Sequence, residues 1–137
     1  MTATASLPLS RLLDLSADLM QGVRDGRSAT DLIGRCPPDA RAGVQALAFD
    51  VLRRLGAATE LRALLAPKAP PPRVDALLCT ALALLWPTPS PPYPDHTLVD
   101  QAVTAARQRT PAAAGFINAV LRRFIRERQA LVAAVER

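Results

Sequence analysis

The sequence has few of the residues that catalytic and disulfide-bonded domains need. Its two cysteines, Cys36 and Cys79, are too few for a disulfide scaffold, and no CxxC or Cys/His cluster could hold zinc. Cys79 lies in an apolar stretch, where burial raises the pKa of a thiol. The six glycines never cluster, which excludes a P-loop and a GxGxxG dinucleotide turn. The single histidine, His96, is expected to cap or pack, so we expect no catalytic site, metal or cofactor in this chain.

Aromatic residues are scarce, at 4% of the chain, whereas hydrophobic residues make up 50%. A core built mainly from Leu, Ala and Val packs well between helices, and 137 residues suit one domain with one core. No apolar run reaches the roughly 18–20 residues that a membrane-spanning helix needs. Residues 1–8 have neither a basic leader nor a long apolar block. We therefore expect a cytoplasmic protein without a membrane partner.

Positive charge dominates, with 17 Lys and Arg against 12 Asp and Glu and a net charge of +5. An arginine near a phosphate displaces a condensed counterion, so the surface should attract polyanions. All basic residues except Lys68 are Arg, a bias that genomic base composition could also produce. Asp14, Asp18 and Asp25 share the first predicted helix, have no opposing cluster, and are expected to face water. Charge alone leaves nucleic-acid binding open.

The spacing of apolar residues predicts an all-helical chain of about seven helices, with no strand and an ordered core over residues 9–128. The first helix should end near Gly26, in a left-handed cap. Ser28 should cap a short second helix through its side chain. The third apolar stripe ends at Gly56, and a separate fourth helix is predicted over residues 59–65.

Two proline-rich connections, residues 67–72 and 87–94, divide the second half of the chain. Between them, residues 74–86 are apolar on nearly every side, which is typical of a helix at the centre of a bundle. Thr97 followed by Asp100 has the position of a capping box, and this predicts the start of the next helix.

The last helix should restart at Pro111 and bury one aliphatic side. The predicted core positions are Phe116, Ile117, Val120, Leu121, Phe124 and Ile125. Asn118 falls within this stripe, where an unpaired amide costs about 1–3 kcal/mol, so it should hydrogen-bond nearby backbone. We assign structural roles to Asn118, Phe116 and Leu121.

Residues 115–123, GFINAVLRR, closely resemble the terminal helix signature of the NusB superfamily, in the form found at the N-terminus of RsmB (Sun/Fmu) ribosomal RNA methyltransferases. Residues 95–103, DHTLVDQAV, and residues 50–54, DVLRR, resemble earlier segments of that family. The order and spacing agree over about residues 10–128. The resemblance implies the NusB fold, a compact bundle of two packed helical subdomains forming one RNA-binding domain over residues 1–137.

The resemblance implies two functions. Free-standing NusB proteins bind RNA and a ribosomal protein in transcription antitermination. The methyltransferases instead place this domain before a catalytic one that uses S-adenosylmethionine to methylate carbon 5 of a cytosine in small-subunit rRNA. The sequence NAVLRR in the last helix and the Leu52–Arg53 pair favour the methyltransferase branch. Antiterminators are rich in Arg at the start of the first helix, whereas this chain has only Arg11 there.

We therefore expect an RNA-binding auxiliary domain of an rRNA (cytosine-5) methyltransferase whose catalytic domain, with its S-adenosylmethionine, is absent from this chain. A stand-alone antitermination factor is the alternative. A helical protein-interaction module is a second alternative. The expected partners are small-subunit rRNA and either a ribosomal protein or a covalently linked methyltransferase domain.

Arginines are the predicted RNA ligands, because a planar guanidinium donates in pairs to phosphate oxygens. The densest supply is Arg122, Arg123, Arg126 and Arg128, together with Arg53 and Arg54. The competing interpretation is a solvated helix face, since arginines near a helix C-terminus also stabilise its dipole. With so few aromatics, recognition should depend on shape and phosphates rather than on stacking.

Overall fold

The computed structural model describes residues 7–137 and contains only helices and connections over that range. In chain order the helices are α1 (Leu9–Arg24), α2 (Ala29–Gly34), α3 (Arg41–Leu65), α4 (Pro72–Leu85), α5 (Asp95–Arg109), a 3₁₀ turn (Pro111–Ala113), α6 (Ala114–Arg126) and α7 (Arg128–Glu136). The all-α class and the number of helices are confirmed. The prediction made for residues 1–8 lies mostly outside the described residues. No helix in the described range combines the length and hydropathy needed to cross a bilayer.

Helix α4 lies at the centre of the molecule. Every residue from position 74 to 85 is buried, and α4 packs against α1, α3, α5 and α6. Leu77, Leu78 and Leu82 have no exposed surface, and alanines fill the remaining faces. The prediction of a central helix is confirmed, and one continuous core joins both halves of the chain.

Helix α3 is continuous over 25 residues, so the predicted end at Gly56 and the separate helix over residues 59–65 are wrong. A glycine inside an exposed helix costs only about 1 kcal/mol relative to alanine. Leu61 has no exposed surface and Leu65 is buried, and each such burial contributes about 1.5–3 kcal/mol. Packing of the second half of α3 on the core therefore outweighs the weak helix propensity of Gly56.

The predicted turn between α1 and α2 is confirmed. Gly26 has a φ of 89°, and its N–H donates to the carbonyl of Val23 at 3.0 Å. The N–H of Arg27 donates to the carbonyl of Gly22 at 3.0 Å, which completes a Schellman motif. The N–H of Asp31 then donates to Ser28 Oγ at 3.3 Å, as expected of an N-cap.

The predicted cap of α5 is wrong. Helix α5 begins at Asp95, directly after Pro94, and no side chain caps it. Pro94 has a φ of −61° and an extended ψ, so it directs the chain into the helix two residues before Thr97. The connection over residues 87–94 contains no helix, as its five prolines predict.

The predicted last helix is divided at Glu127, so α7 supplies the seventh helix in place of the separate segment over residues 59–65. Four of the predicted core positions of α6 are buried: Ile117, Val120, Leu121 and Phe124. Ile125 is partly buried against the core. Phe116 is 39% exposed, which corrects its assignment to the core. It lies in the first turn of α6, where its neighbours are the proline-rich α3–α4 connection and the turn Pro111–Ala113.

Replacing Gly56 with alanine is expected to raise the free energy of unfolding by about 0.5–1 kcal/mol, because alanine lowers the entropic cost of the helix. An added Cβ meets nothing within 4 Å at this position. Urea denaturation followed by circular dichroism measures the change. Gly26→Ala is the matched control and should destabilise by about 1–2 kcal/mol, since its φ is +89°. A destabilised Gly56→Ala variant would contradict a continuous α3.

Candidate nucleic-acid interface

Three of the six predicted RNA-binding arginines are paired with carboxylates: Arg53 with Asp50, Arg123 with Glu127 at 2.9 Å, and Arg128 with Asp95 at 2.7 Å. The guanidinium of Arg128 also lies 5.6 Å from the ring centroid of Phe124. Exposed pairs of this kind contribute about 0–1 kcal/mol, so a phosphate can compete for Arg53 or Arg123. Arg128 is more firmly held, because its side chain is only 27% exposed.

The other three predicted ligands, Arg54, Arg122 and Arg126, have no carboxylate within salt-bridge distance among residues 7–137. Arg122 and Arg126 are exposed on α6. The Nε of Arg122 donates to Asn118 Oδ1 at 2.9 Å, which orients the guanidinium and leaves its terminal nitrogens free of that bond. The predicted backbone partner of Asn118 is therefore wrong. Its amide is only half-buried and accepts from a side chain.

The six arginines do not form one cluster. Arg123 Nη1 donates to the carbonyl of Leu65 at 3.3 Å, which places α6 beside the C-terminal end of α3. Arg54 lies eleven residues before Leu65, a distance of about 16 Å along a helix with a rise of about 1.5 Å per residue. Arg53 is one residue further away. The three α6 arginines, with Arg128 at the start of α7, therefore form the main group, and the α3 pair stands apart.

The sequence did not indicate that Arg107 shares a groove with Arg122. Exposed Arg107 is in the last turn of α5, and both arginines line a groove of about 570 Å³ between α5 and α6. The remaining lining residues are Asp100, Val103, Thr104, Ala114, Gly115 and Asn118. Positions 100, 103, 104 and 107 have helical spacing, which could have identified one face of α5. Its neighbour α6 became known only from the packing.

A buried arginine joins α5 to α1. The side chain of Arg109 has no exposed surface, and its Nη1 donates to Asp14 Oδ1 at 2.9 Å and to Asp18 Oδ1 at 2.6 Å. Its Nε donates to the carbonyl of Arg73 at 3.1 Å, at the start of α4. The expectation that these carboxylates face water is wrong for Asp14, which is partly buried against Arg109, whereas Asp18 is 52% exposed, as expected, although it also accepts from Arg109. Asp25 is exposed, as expected.

A second ion cluster joins the central helix to its neighbours. Arg24 Nη1 donates to Asp75 Oδ2 at 2.9 Å, and Arg62 Nε lies 2.9 Å from Asp75 Oδ1. The Nε of Arg62 has no hydrogen-bond partner, so its contact with Asp75 is an ion pair whose geometry does not make a hydrogen bond. Asp75 is buried in α4, while Arg24 and Arg62 come from α1 and α3. These arginines hold the fold together and are not available to an external ligand.

The two cysteines have the chemistry of structural thiols. Burial raises the pKa of the Cys79 thiol, against the opposing effect of Arg24. Partial burial likewise raises the pKa of Cys36. Both thiols are free. Because the thiolate is the nucleophilic form, neither residue is activated for covalent chemistry at neutral pH. Within residues 7–137 no group of three metal-ligating side chains converges.

An apolar groove of about 760 Å³ lies between the α3–α4 connection and the start of α6. The exposed ring of Phe116 forms one side, and prolines at positions 67, 70, 71 and 111 form much of the rest. Lys68 is the one charged lining residue in the described part of the chain. Phe116 is exposed because its ring lines this open groove and does not enter the core.

Among known protein families, the NusB family matches residues 13–126 of this chain, which is most of its length. The matched range begins within α1 and ends at the last residue of α6. It includes the arginines of α3 and α6 and excludes α7. No curated protein matches the sequence.

Replacing Arg109 with alanine is expected to lower the free energy of unfolding by about 3 kcal/mol, because it leaves the partly buried Asp14 with only the longer contact to Arg11 and leaves the carbonyl of Arg73 without its donor. Thermal and urea denaturation measure the loss. Arg107→Ala is the matched control, two residues earlier on the same helix and exposed, and should change stability by less than about 0.5 kcal/mol. Equal effects of the two substitutions would contradict a structural role for Arg109.

Proposed function

The chain belongs to the NusB family, and from this premise we propose that it is an RNA-binding domain that acts beside the catalytic domain of an rRNA (cytosine-5) methyltransferase. Membership of the family supports RNA binding of the antitermination type as the general function. The more specific assignment to the methyltransferases depends on the resemblance of residues 115–123 to those enzymes.

The two-sided character of α6 carries the proposal. Ile117, Leu121 and Phe124 have no exposed surface, while Arg122 and Arg126 lie exposed on the same helix. Burial of the aliphatic side fixes α6 on the core and directs the guanidinium groups outward. Positively charged groups on a rigid helix are suited to bind phosphates and to set the register of an RNA. This helix also contains the segment that most closely resembles the methyltransferase branch.

The few large aromatics support recognition through phosphates. Trp86 and Tyr93 are partly buried against the core, and the exposed rings of Phe49 and Phe116 do not line the groove shared by Arg107 and Arg122, so no aromatic ring in that groove offers a face on which a base could stack. The domain would therefore bind by charge and by the shape of a folded RNA. In the proposed full-length enzyme, S-adenosylmethionine would supply the methyl group in the separate catalytic domain. The residues of this chain would only position the RNA.

The state of Arg11 weighs against antitermination contacts at the start of α1. Arg11 Nη1 lies 3.5 Å from Asp14 Oδ2, in an i,i+3 pair. Asp14 in turn binds the buried Arg109. Arg11 is also the one basic residue of α1 before Arg24, so the start of this helix offers little positive charge, and this favours the methyltransferase branch over a stand-alone antitermination factor.

We expect the chain to bind a small-subunit rRNA fragment more tightly than an antitermination RNA in fluorescence-anisotropy titrations. With about three phosphate contacts, the slope of log affinity against log salt should be about −2, so affinity falls about 16-fold between 50 and 200 mM salt. Preference for the antitermination RNA would instead assign the domain to antitermination. Equal binding of both RNAs would contradict a specific role with rRNA.

Reversing charges on α6, and separately at an arginine outside α6, distinguishes binding at α6 from nonspecific attraction to the whole basic surface. Arg122→Glu with Arg126→Glu should weaken rRNA binding more than tenfold, because phosphate ligands become repulsive. The control reverses the charge of exposed Arg35, at the end of α2, which packs on α1 and α3, and should have a much smaller effect. Unchanged affinity in a folded double variant would exclude α6 as the RNA site. It would favour the alternative of a protein-interaction module.

A further inference from the structure

We propose that the groove between α5 and α6 binds a nucleotide segment of single-stranded RNA, with Arg107 and Arg122 as its phosphate ligands. The inference depends on the proposed RNA-binding function and assigns it to a particular site. The proposed site contains Arg107 and Asn118 in addition to the predicted ligand Arg122, together with the small residues Val103, Ala114 and Gly115 that line the groove.

The groove exists because small residues lie where α5 and α6 meet. The helices are joined by the short 3₁₀ turn Pro111–Ala113, so they pack as antiparallel neighbours. Val103, Ala114 and Gly115 line the groove and carry small side chains or none. A furrow therefore remains open along the pair. Its volume of about 570 Å³ is in the range of about 300–1,000 Å³ typical of ligand sites.

The polar groups of the groove suit a phosphate-linked ligand. Arg107 is exposed and, within the described part of the chain, has no carboxylate partner. Arg122 is oriented by the 2.9 Å bond from its Nε to Asn118 Oδ1. The hydroxyl of Thr104 donates to the carbonyl of Asp100 at 2.9 Å, so its oxygen can still accept a hydrogen bond. The planar guanidinium groups of Arg107 and Arg122 can donate to phosphates, while Thr104 and the exposed carboxylate of Asp100, which also lines the groove, can accept from sugar hydroxyls.

The separation of the two arginines indicates more than a single phosphate. Arg107 lies beside the turn, in the last turn of α5, whereas Arg122 lies two turns into α6. Seven residues separate Gly115, at the turn end of the groove, from Arg122, which corresponds to about 10 Å along a helix. The two guanidinium groups therefore bracket the groove from opposite ends. A short RNA segment, with a phosphate at each end, fits this arrangement.

Two other grooves with two arginines are poorer candidates. Arg126 and Arg128 line a space of about 590 Å³ beside α7, but Arg128 is already paired with Asp95. Arg27 and Arg35 line a space of about 220 Å³ between α1 and α2. Its other walls are mostly apolar, and the lining carboxylate of Asp18 already binds Arg109. It is less than half the size of the α5–α6 groove, so the latter is the better site for a nucleotide.

Gly115 provides a test that removes no charge. A Cβ added there meets nothing within 4 Å, and the residue lines the groove, so a larger side chain would occupy the groove. Gly115→Leu should weaken binding of the same small-subunit rRNA fragment at least tenfold, while the salt slope of the residual binding stays close to that of the wild type. Gly56→Leu is the matched control, since Gly56 is also exposed within a helix and has nothing within 4 Å, and it should bind normally.

Arg107→Ala supplies a second, independent variant. It should weaken binding about fivefold and reduce the salt slope by about 0.7, which corresponds to one lost phosphate contact. Because Arg107 is exposed, circular dichroism should show an unchanged fold. If the wild type binds RNA and both groove variants bind equally well, the groove is not the site although the proposed function stands. If the wild type binds no RNA, the proposed function fails and the inference with it.

Discussion

The burial of α4 on every side is the constraint on which the rest of the structure depends. A helix that has no solvent-exposed face must be packed on every side, and α1, α3, α5 and α6 pack against α4 in this way. Once α5 and α6 are both held against α4, the short turn at Pro111–Ala113 brings them side by side. The groove between them, and the outward direction of Arg122, follow from this packing. The basic surface is therefore a consequence of how the core is filled.

Charge is divided between the interior and the surface. Asp75 in α4 binds Arg24 and Arg62, and Arg109 binds Asp14 and Asp18. These contacts join α1, α3, α4 and α5, and they pair three carboxylates with three arginines, so the net positive charge remains on the rest of the chain. Removing one partner of such a pair costs stability because the other charge is left without compensation. The arginines of the α5–α6 groove, Arg107 and Arg122, form no ion pair with a carboxylate among the described residues, so they remain available to an external anion.

The fold was predictable from the sequence wherever periodicity and packing agree. Residues 74–86 are apolar all round and form a central helix, and Gly26 has the positive φ that its position predicts. The predictions failed where tertiary packing overrides a local signal, as at Gly56 inside α3. The exposure of Phe116 and the partners of Asp14 and Asn118 depend on elements distant in sequence, which periodicity does not reveal. For the same reason Arg107 joined the site only through the packing of α5 on α6. The roles in RNA binding predicted for all six arginines stay predictions: Arg53, Arg54, Arg122, Arg123, Arg126 and Arg128.

The central claim is that RNA is bound along the α5–α6 edge of a bundle organised around α4. Amide hydrogen exchange with and without a bound small-subunit rRNA fragment tests it most directly, because protection reports where the ligand lies without any substitution. The account predicts slower exchange over the second half of α5 and the first half of α6, with α2 (Ala29–Gly34) unchanged. Protection confined to α2 and the start of α3, with none along α5 and α6, would contradict it.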